Sequence, residues 1–252
     1  MSAPAAPVLI PPRGGVDIGD YTLRDFAAKW MSQQCDLAQL GYHRAANDRL
    51  VGDGDGRDRV VFMGDSITEF WAAIAELGGE GWRALNRGIA GQSSTQMLLR
   101  FGDDAVDLAP RLIILLCGTN DLRSYAGAPG MIVDVALGHI RRSVTAMADI
   151  AQARGIALAL ATLPPVGRQL ETYRDPAGIL EANGWLREFA DTRRLRLIDY
   201  HAALLDQEGF LPPELSDDGV HPNAAGYARM RIALQPTLDA HGYRATGDEH
   251  QG

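Results

Sequence analysis

The chain has 252 residues, with 24 Lys and Arg against 32 Asp and Glu and a formal net charge of −8. Hydrophobic residues make up 46% and charged residues 22%, which is too apolar and too weakly charged for a wholly disordered chain. The negative balance argues against a nucleic-acid backbone or an anionic membrane surface as the main partner, and no apolar run approaches the roughly 18–20 residues that span a bilayer.

Residues 1–20 are rich in Pro and Gly and read as an extended arm. The opening run MSAPAAPVLIPPRGG has neither a basic leader nor a continuous apolar region, so it does not read as a signal peptide. A chain whose leader had been removed would read the same, which leaves cytoplasm and export both open. Residues 22–49 carry helical spacing (Leu23, Phe26, Ala27 and Trp30, then Leu37 and Leu40) with an interruption near Gly41. The polar stretch GDGDGRD at 52–58 is a turn or linker. As a calcium loop it lacks the required glycine and bidentate glutamate, since Asp58 and Gly64 hold those positions. As a dinucleotide turn it precedes a strand instead of following one.

From Arg59 onward strand and helix alternate. Val60–Met63 is a strand, followed by a helix over about Ser66–Leu77; Arg83–Asn86 is a second strand, followed by a helix over about Ser94–Leu108. Leu112–Cys117 is the third strand. Ile132, Ala136, Ile140, Val144, Met147 and Ala151 then mark one face of a long helix that stops at Gly155. Ile156–Thr162 is the fourth strand, residues 178–193 a helix, and Leu195–Asp199 the fifth strand. The last helix is capped by Asn223 and runs to about Ala240, with Pro236 predicted to kink it. Strands that are apolar throughout belong to a parallel sheet covered on both faces, so the fold class is α/β with five parallel strands. The expected division is an N-terminal arm and helix over 1–58 and one α/β domain over 59–245. Cys35 and Cys117 form no metal spacing and no disulfide framework, and both read as buried or half-buried thiols.

In such sheets ligands bind at the carboxyl ends of the strands. The residues there are Gly64-Asp65-Ser66 after the first strand, Asn86 to Gly91 after the second, Gly118 to Asp121 after the third, and Asp218 to Asn223 on the long loop after the fifth. Taken singly each has an ordinary explanation: a cap, a turn, a tight bend, a surface histidine. Together they supply one chemistry. A serine hydroxyl needs a neutral imidazole to accept its proton, and the imidazole needs a carboxylate on its other nitrogen. Asp218 and His221 provide that pair from one turn, and Asp217, four residues from His221, is the competing acid. A carbonyl under attack needs hydrogen-bond donors for its developing charge. The backbone N–H groups of Ser66 and Gly91 and the side-chain amide of Asn120 are groups of that type. With strands in the order 2-1-3-4-5, the ends bearing Gly91, Ser66 and Asn120 are adjacent. Thr68 stands where the G-x-S-x-G nucleophile elbow has glycine, so that elbow is absent.

GDSIT at 64–68, NRGIAG at 86–91, GTND at 118–121 and DGVHP at 218–222 resemble, in order and spacing, the four blocks of the SGNH (GDSL-type) hydrolases. MGDSITEFW with NRGIAGQSS is most similar to the bacterial platelet-activating-factor-acetylhydrolase-like branch, although Gln92 stands where related sequences often carry Asp. The resemblance implies a flavodoxin-like three-layer α/β/α sandwich. It implies a nucleophile at Ser66, a base at His221 oriented by Asp218, and an oxyanion hole formed by Ser66, Gly91 and Asn120. It implies hydrolysis of esters through an acyl-enzyme, with no metal and no organic cofactor. By the same analogy the substrate is a small-molecule or carbohydrate ester with a short acyl group, chiefly acetyl. Acyl transfer, deacetylation of a polysaccharide, and lysophospholipase- or thioesterase-type lipid hydrolysis are the alternatives. Asp65 and Asp121 are expected to hold loops. Trp71, Tyr125, Tyr173 and Trp185 line the pocket or pack helices, the loop Pro164–Pro176 with Arg168, Tyr173 and Arg174 shapes the alcohol site, and His43, His139, His201, His241 and His250 have no catalytic partner. Nothing in the sequence signals an oligomeric state.

Overall fold

The structure is a computed structural model that describes residues 31, 35–50, 56–123 and 129–243, without the side chains of 129–132. The arm, the first part of the predicted N-terminal helix, most of the 52–58 turn, Tyr125 and His250 lie outside the described residues.

The sheet strands are β1 (Asp58–Gly64), β2 (Trp82–Gly88), β3 (Leu112–Leu115), β4 (Ala157–Ala161) and β5 (Arg196–Ile198), all parallel, in the order β2-β1-β3-β4-β5. That is the order the placement of the motifs required. Val60 to Met63 and Leu112 to Leu115 are buried along their whole length, which explains their uninterrupted apolar character. Each such side chain contributes about 1.5–3 kcal/mol through burial.

The helices are α1 (Gly41–Leu50), α2 (Ser66–Glu69), α3 (Ser94–Asp104), α4 (Pro129–Ala153), α5 (Pro176–Arg193), α6 (Tyr200–Leu204) and α7 (Ala224–Ala240). They flank the sheet. Helix α3 packs on α4, and α4 on α5, while α7 covers β5 and α6. Their starts follow from capping side chains. Ser93 and Gln96 form a reciprocal capping box before α3, Asp175 caps α5 with Pro176 in its first turn, and the Asn223 amide oxygen accepts from the N–H groups of Ala225 and Gly226 at 3.0 and 3.2 Å. Gly155, at φ +67°, ends the turn after α4 as its position predicts.

Three expectations are corrected. The predicted helix over Ser66–Leu77 is broken into α2 and a 3-10 turn over Ala72–Glu76. The Asn86 side-chain amide donates to the carbonyls of Thr68 at 2.7 Å and Glu69 at 3.3 Å, taking acceptors that a continuing α-helix would offer to its next turn. Trp71 there turns into the core, stacked on Tyr227 with ring centroids 5.3 Å apart and edge-on to Phe62 and Tyr200. Cys117 is buried as expected, but Cys35 is exposed. The predicted helix over Ser94–Leu108 ends at Asp104 and passes through a 3-10 turn to Ala109, at φ +49°.

Candidate active site

The site lies where β1, β2 and β3 end. After Gly64 the chain turns sharply, and Asp65 caps α2 by accepting the Ile67 N–H at 2.9 Å, which presents Ser66 at the first helical position. Gly88, at the end of β2, lies so close to this turn that a Cβ there would come 2.1 Å from the Glu69 nitrogen and 2.8 Å from the Asp65 carbonyl oxygen. Only glycine lets the two segments approach this way.

The turn after Leu215 brings Asp218 and His221 over Ser66. The Ser66 hydroxyl lies 2.8 Å from His221 Nε2, and His221 Nδ1 lies 2.6 Å from Asp218 Oδ2. With the proton on Nδ1, the imidazole donates to the carboxylate and accepts from the serine. The other carboxylate oxygen of Asp218 accepts the N–H groups of Val220 and His221, both at 2.8 Å. Burial alone would raise the Asp218 carboxyl, but the bonds from the His221 ring and from these two N–H groups outweigh it and hold the group below the ordinary carboxylate range. Asp217, the competing acid, accepts instead from Asn223 Nδ2 at 3.4 Å. The turn is tied down at Gly219, whose carbonyl accepts the Gly167 N–H at 2.8 Å, and by Tyr227 of α7, which donates to the Ile67 carbonyl at 2.9 Å.

Gly91 and Asn120 lie on the loops beside this turn, Asn120 bonding to Asp65 and to the Gln92 carbonyl. In the run Gly88–Gln92, the N–H groups of Gly88, Ile89, Ala90 and Gln92 donate to Asn86 Oδ1, the Gly64 carbonyl, Glu69 Oε2 and the Ile89 carbonyl. The N–H of Gly91 has no acceptor among the described residues. Gly91 has φ +79°, and a Cβ there would meet nothing within 4 Å. The Asn120 amide comes from the β3 side. Its Nδ2 donates to the Gln92 carbonyl at 3.1 Å and, at a long 3.4 Å, to Asp65 Oδ2, and its Oδ1 accepts from Arg174 Nη2 at 3.3 Å. Arg174 fixes which way this amide faces.

Asp65 and Asp121 hold loops. The Asp65 carboxyl is raised by complete burial, and Asp121, also raised by burial, accepts the Ser94 N–H at 2.8 Å and the Ser94 hydroxyl at 2.5 Å. The residues with two readings divide. Trp71 is core, and Trp185 stacks on Phe189 away from the site. Arg123 Nε donates to the Tyr173 hydroxyl at 2.8 Å, and Arg168 pairs with Glu208 over the Phe210 ring. His43 and His241 bond to the carbonyls of Gly88 and Thr237, His201 is buried, and His139 is exposed.

Some residues of the site had no signal in the sequence. Phe70, 51% exposed, places its ring 5.0 Å from that of His221 and is the apolar rim of the crevice. Arg100 is fully buried and donates to Gly64 and Arg87 carbonyls at 2.9 Å, to Asp104 at 3.1 Å and to the Gln92 side chain. It thereby ties the ends of β1 and β2 together from beneath. Two concavities lie elsewhere, one at the opposite end of the sheet beside Arg111, Arg154 and His241, the other on α4 and α5 beside Trp185, and neither is lined by Ser66, Gly91, Asn120 or His221. No helix among the described residues is long and apolar enough to cross a membrane.

Residues 62–229 match the model of the GDSL-like Lipase/Acylhydrolase family. No curated protein matches the chain at a significant level. Among solved structures, one similar protein is provisionally assigned as an acylhydrolase, from Bacteroides fragilis, at 31% identity and a TM-score of 0.69, with 82% of this chain and 98% of that one covered. A GDSL-like lipase from Bacteroides thetaiotaomicron is 29% identical at a TM-score of 0.69, over 82% of this chain and 100% of its own. A structure from Streptococcus pneumonia described by the name of platelet activating factor is 24% identical at a TM-score of 0.66, over 84% of this chain and 99% of its own, a likeness of fold.

Proposed function

The chain belongs to the GDSL-like lipase/acylhydrolase family, a family of carboxylic ester hydrolases, and from that premise we propose that it cleaves short-chain esters, chiefly acetyl esters, through Ser66, His221 and Asp218. As the Ser66 oxygen bonds to the ester carbonyl carbon, its proton passes to His221 Nε2. The carbonyl oxygen takes the negative charge, and the N–H groups of Ser66 and Gly91 and the Asn120 amide receive it. The imidazolium, steadied by Asp218, gives the proton to the leaving alcohol oxygen, and an acyl-enzyme remains. Water, deprotonated by the same imidazole, attacks the acyl carbon. Collapse of the second tetrahedral intermediate returns the proton to Ser66 and releases the carboxylic acid.

The observation that carries this reading is the unbroken chain from Asp218 Oδ2 through His221 to the Ser66 hydroxyl, at 2.6 and 2.8 Å. Each CH2 of an acyl chain gains about 0.8 kcal/mol only where it is buried. At the rim the half-exposed Phe70 ring lies 5.0 Å from that of His221. An acetylated carbohydrate fits that arrangement, its ring against Phe70.

The test is a fluorophosphonate probe followed by turnover of C2, C4 and C8 nitrophenyl esters and acetylated saccharides, with Ser66→Ala as control. Labelling of the wild type alone and preference for C2 are expected. Activity in Ser66→Ala refutes the nucleophile, and a preference for C8 refutes the acetyl assignment in favour of a lipid ester. Excess sugar that captures the acyl group in place of water makes the enzyme a transferase.

A further inference from the structure

The oxyanion loop is held from outside as well as from beneath. Segment 36–50, which carries none of the four family motifs, bonds to this loop along its length. Asn47 Oδ1 accepts from Arg87 Nε at 2.9 Å, His43 Nε2 lies 3.1 Å from the Gly88 carbonyl, and Gln92 Nε2 donates to the Ala38 carbonyl at 2.9 Å. Between these contacts stands Glu69. One of its carboxylate oxygens accepts the Ala90 N–H at 2.6 Å, and the other accepts the hydroxyl proton of Tyr42 from α1. Glu69 is therefore placed on the short helix that begins with Ser66, holds the peptide next to Gly91, and is itself held by α1.

We infer that Glu69 is a positioning residue for the oxyanion hole, that Tyr42 fixes its side chain, and that segment 36–50 is a working part of the hydrolase. The inference rests on the reading of Ser66 and Gly91 given above. The Gly91 N–H has no acceptor among the described residues, so its direction is inherited from the residues on either side. Ala90 is tied to Glu69 and Gln92 to Ile89. A carboxylate this near a developing oxyanion would oppose catalysis if its charge were bare. Here both oxygens carry a donor, so the role of the group is to accept hydrogen bonds. A glutamine can play the same part, accepting from Ala90 through its oxygen and donating to the Tyr42 oxygen through its nitrogen. Gln92 belongs to the same device, since its amide reaches both the buried Arg100 and the Ala38 carbonyl.

The experiment compares Glu69→Ala, Glu69→Gln and Tyr42→Phe with wild type and Ser66→Ala in the full chain. It measures kcat, KM, thermal midpoint and inhibition by phenylboronic acid, whose tetrahedral adduct on Ser66 occupies the oxyanion hole. Glu69→Ala is expected to lose about 10- to 100-fold in kcat, the scale of a sub-ångström to 1 Å misplacement. KM should stay within about threefold, and boronate affinity should fall in parallel with kcat, as it must for an interaction made only in the transition state. Glu69→Gln should recover to within about fivefold of wild type, and Tyr42→Phe should lose about threefold or more. Wild-type kinetics in Glu69→Ala, or equal losses in the Ala and Gln variants, overturns the inference. If Glu69→Ala does not fold, Tyr42→Phe decides it, wild-type kinetics there being the overturning result. Activity retained in Ser66→Ala would instead strike the reading on which the inference stands.

Discussion

Asn120→Ala separates catalysis from folding, because its bonds are few and long. Its amide makes three contacts, at 3.1 Å to the Gln92 carbonyl, 3.3 Å from Arg174 and 3.4 Å to Asp65. A hydrogen bond of ordinary length contributes about 0.5–1.5 kcal/mol net, and only the first of these is close to that length. Arg174 keeps the Thr119 carbonyl as an acceptor, and Asp65 keeps the Ile67 N–H, so neither buried charge is stranded. The expected stability loss is about 1 kcal/mol, or roughly 2–4 °C in thermal midpoint for a domain of this size. The kinetic loss is of another order. Removing one oxyanion donor costs about 2.7–4 kcal/mol of transition-state stabilisation, which is 10²–10³ in kcat with KM nearly unchanged. The assay is initial-rate hydrolysis of nitrophenyl acetate alongside a thermal melt. A kcat within threefold of wild type, or a midpoint that falls by more than about 10 °C, would refute the assignment of Asn120 as a donor held lightly by its neighbours. Asn120→Asp puts an acceptor and a negative charge where the oxyanion forms, and should fall below Asn120→Ala.

Other consequences follow from the same geometry. Asp218→Asn replaces the acceptor of the 2.6 Å bond to His221 and favours the wrong imidazole tautomer, so kcat should drop by about 10⁴ while fluorophosphonate labelling slows with it; equal activity in the two proteins would remove Asp218 from the mechanism. Arg100→Leu removes the buried cation beside the Asp104 carboxylate, which keeps only the neutral Asn47 amide, and takes one donor each from the carbonyls of Gly64 and Arg87; it should cost about 3–5 kcal/mol by denaturant unfolding, with Asp104→Asn restoring part of it, and a loss under 1 kcal/mol would contradict this. Stability should gain from Asp65 and Asp121 as pH falls through their folded-state values, because burial raises both carboxyls and their ionised forms oppose folding, and should lose from His43 and His201 as pH falls through the ordinary histidine range, because burial lowers both rings. It should fall again below the ordinary carboxylate range, where the lowered Asp218 and Asp199 become protonated and their contribution, present above their unfolded values, is lost. Thermal midpoints at pH 3 to 8 test both limbs, and Asp65→Asn should flatten the first.

The sheet and the chemistry were legible in the sequence for one reason: both depend on local runs. Strands buried on both faces must be apolar throughout, and the groups that meet at Ser66 sit directly after such strands or in one turn. What escaped was set by contacts between distant segments. The periodicity of 66–77 is helical, but nothing in it reports that Asn86 takes the Thr68 and Glu69 carbonyls. Arg100 belongs to no motif, and its burial comes from the ends of β1 and β2 closing over it. Glu69 follows GDSIT directly, yet its partners lie at Tyr42 and Ala90, on segments with no motif spacing between them. Cys35 was misjudged because a helical pattern gives a residue's face only when the partner surface is known.

The order in which the chain supplies its parts bears on its synthesis. Ser66, Gly91 and Asn120 lie in the segments that follow the first three strands. His221 arrives only with the turn that precedes α7, and that turn is moored by Gly167 and by Tyr227 reaching back to Ile67. Until that turn docks, the serine has no imidazole beside it to accept its proton. Ser66 and the imidazole that would take its proton thus lie 155 residues apart in the chain, and they meet only once the turn before α7 is docked.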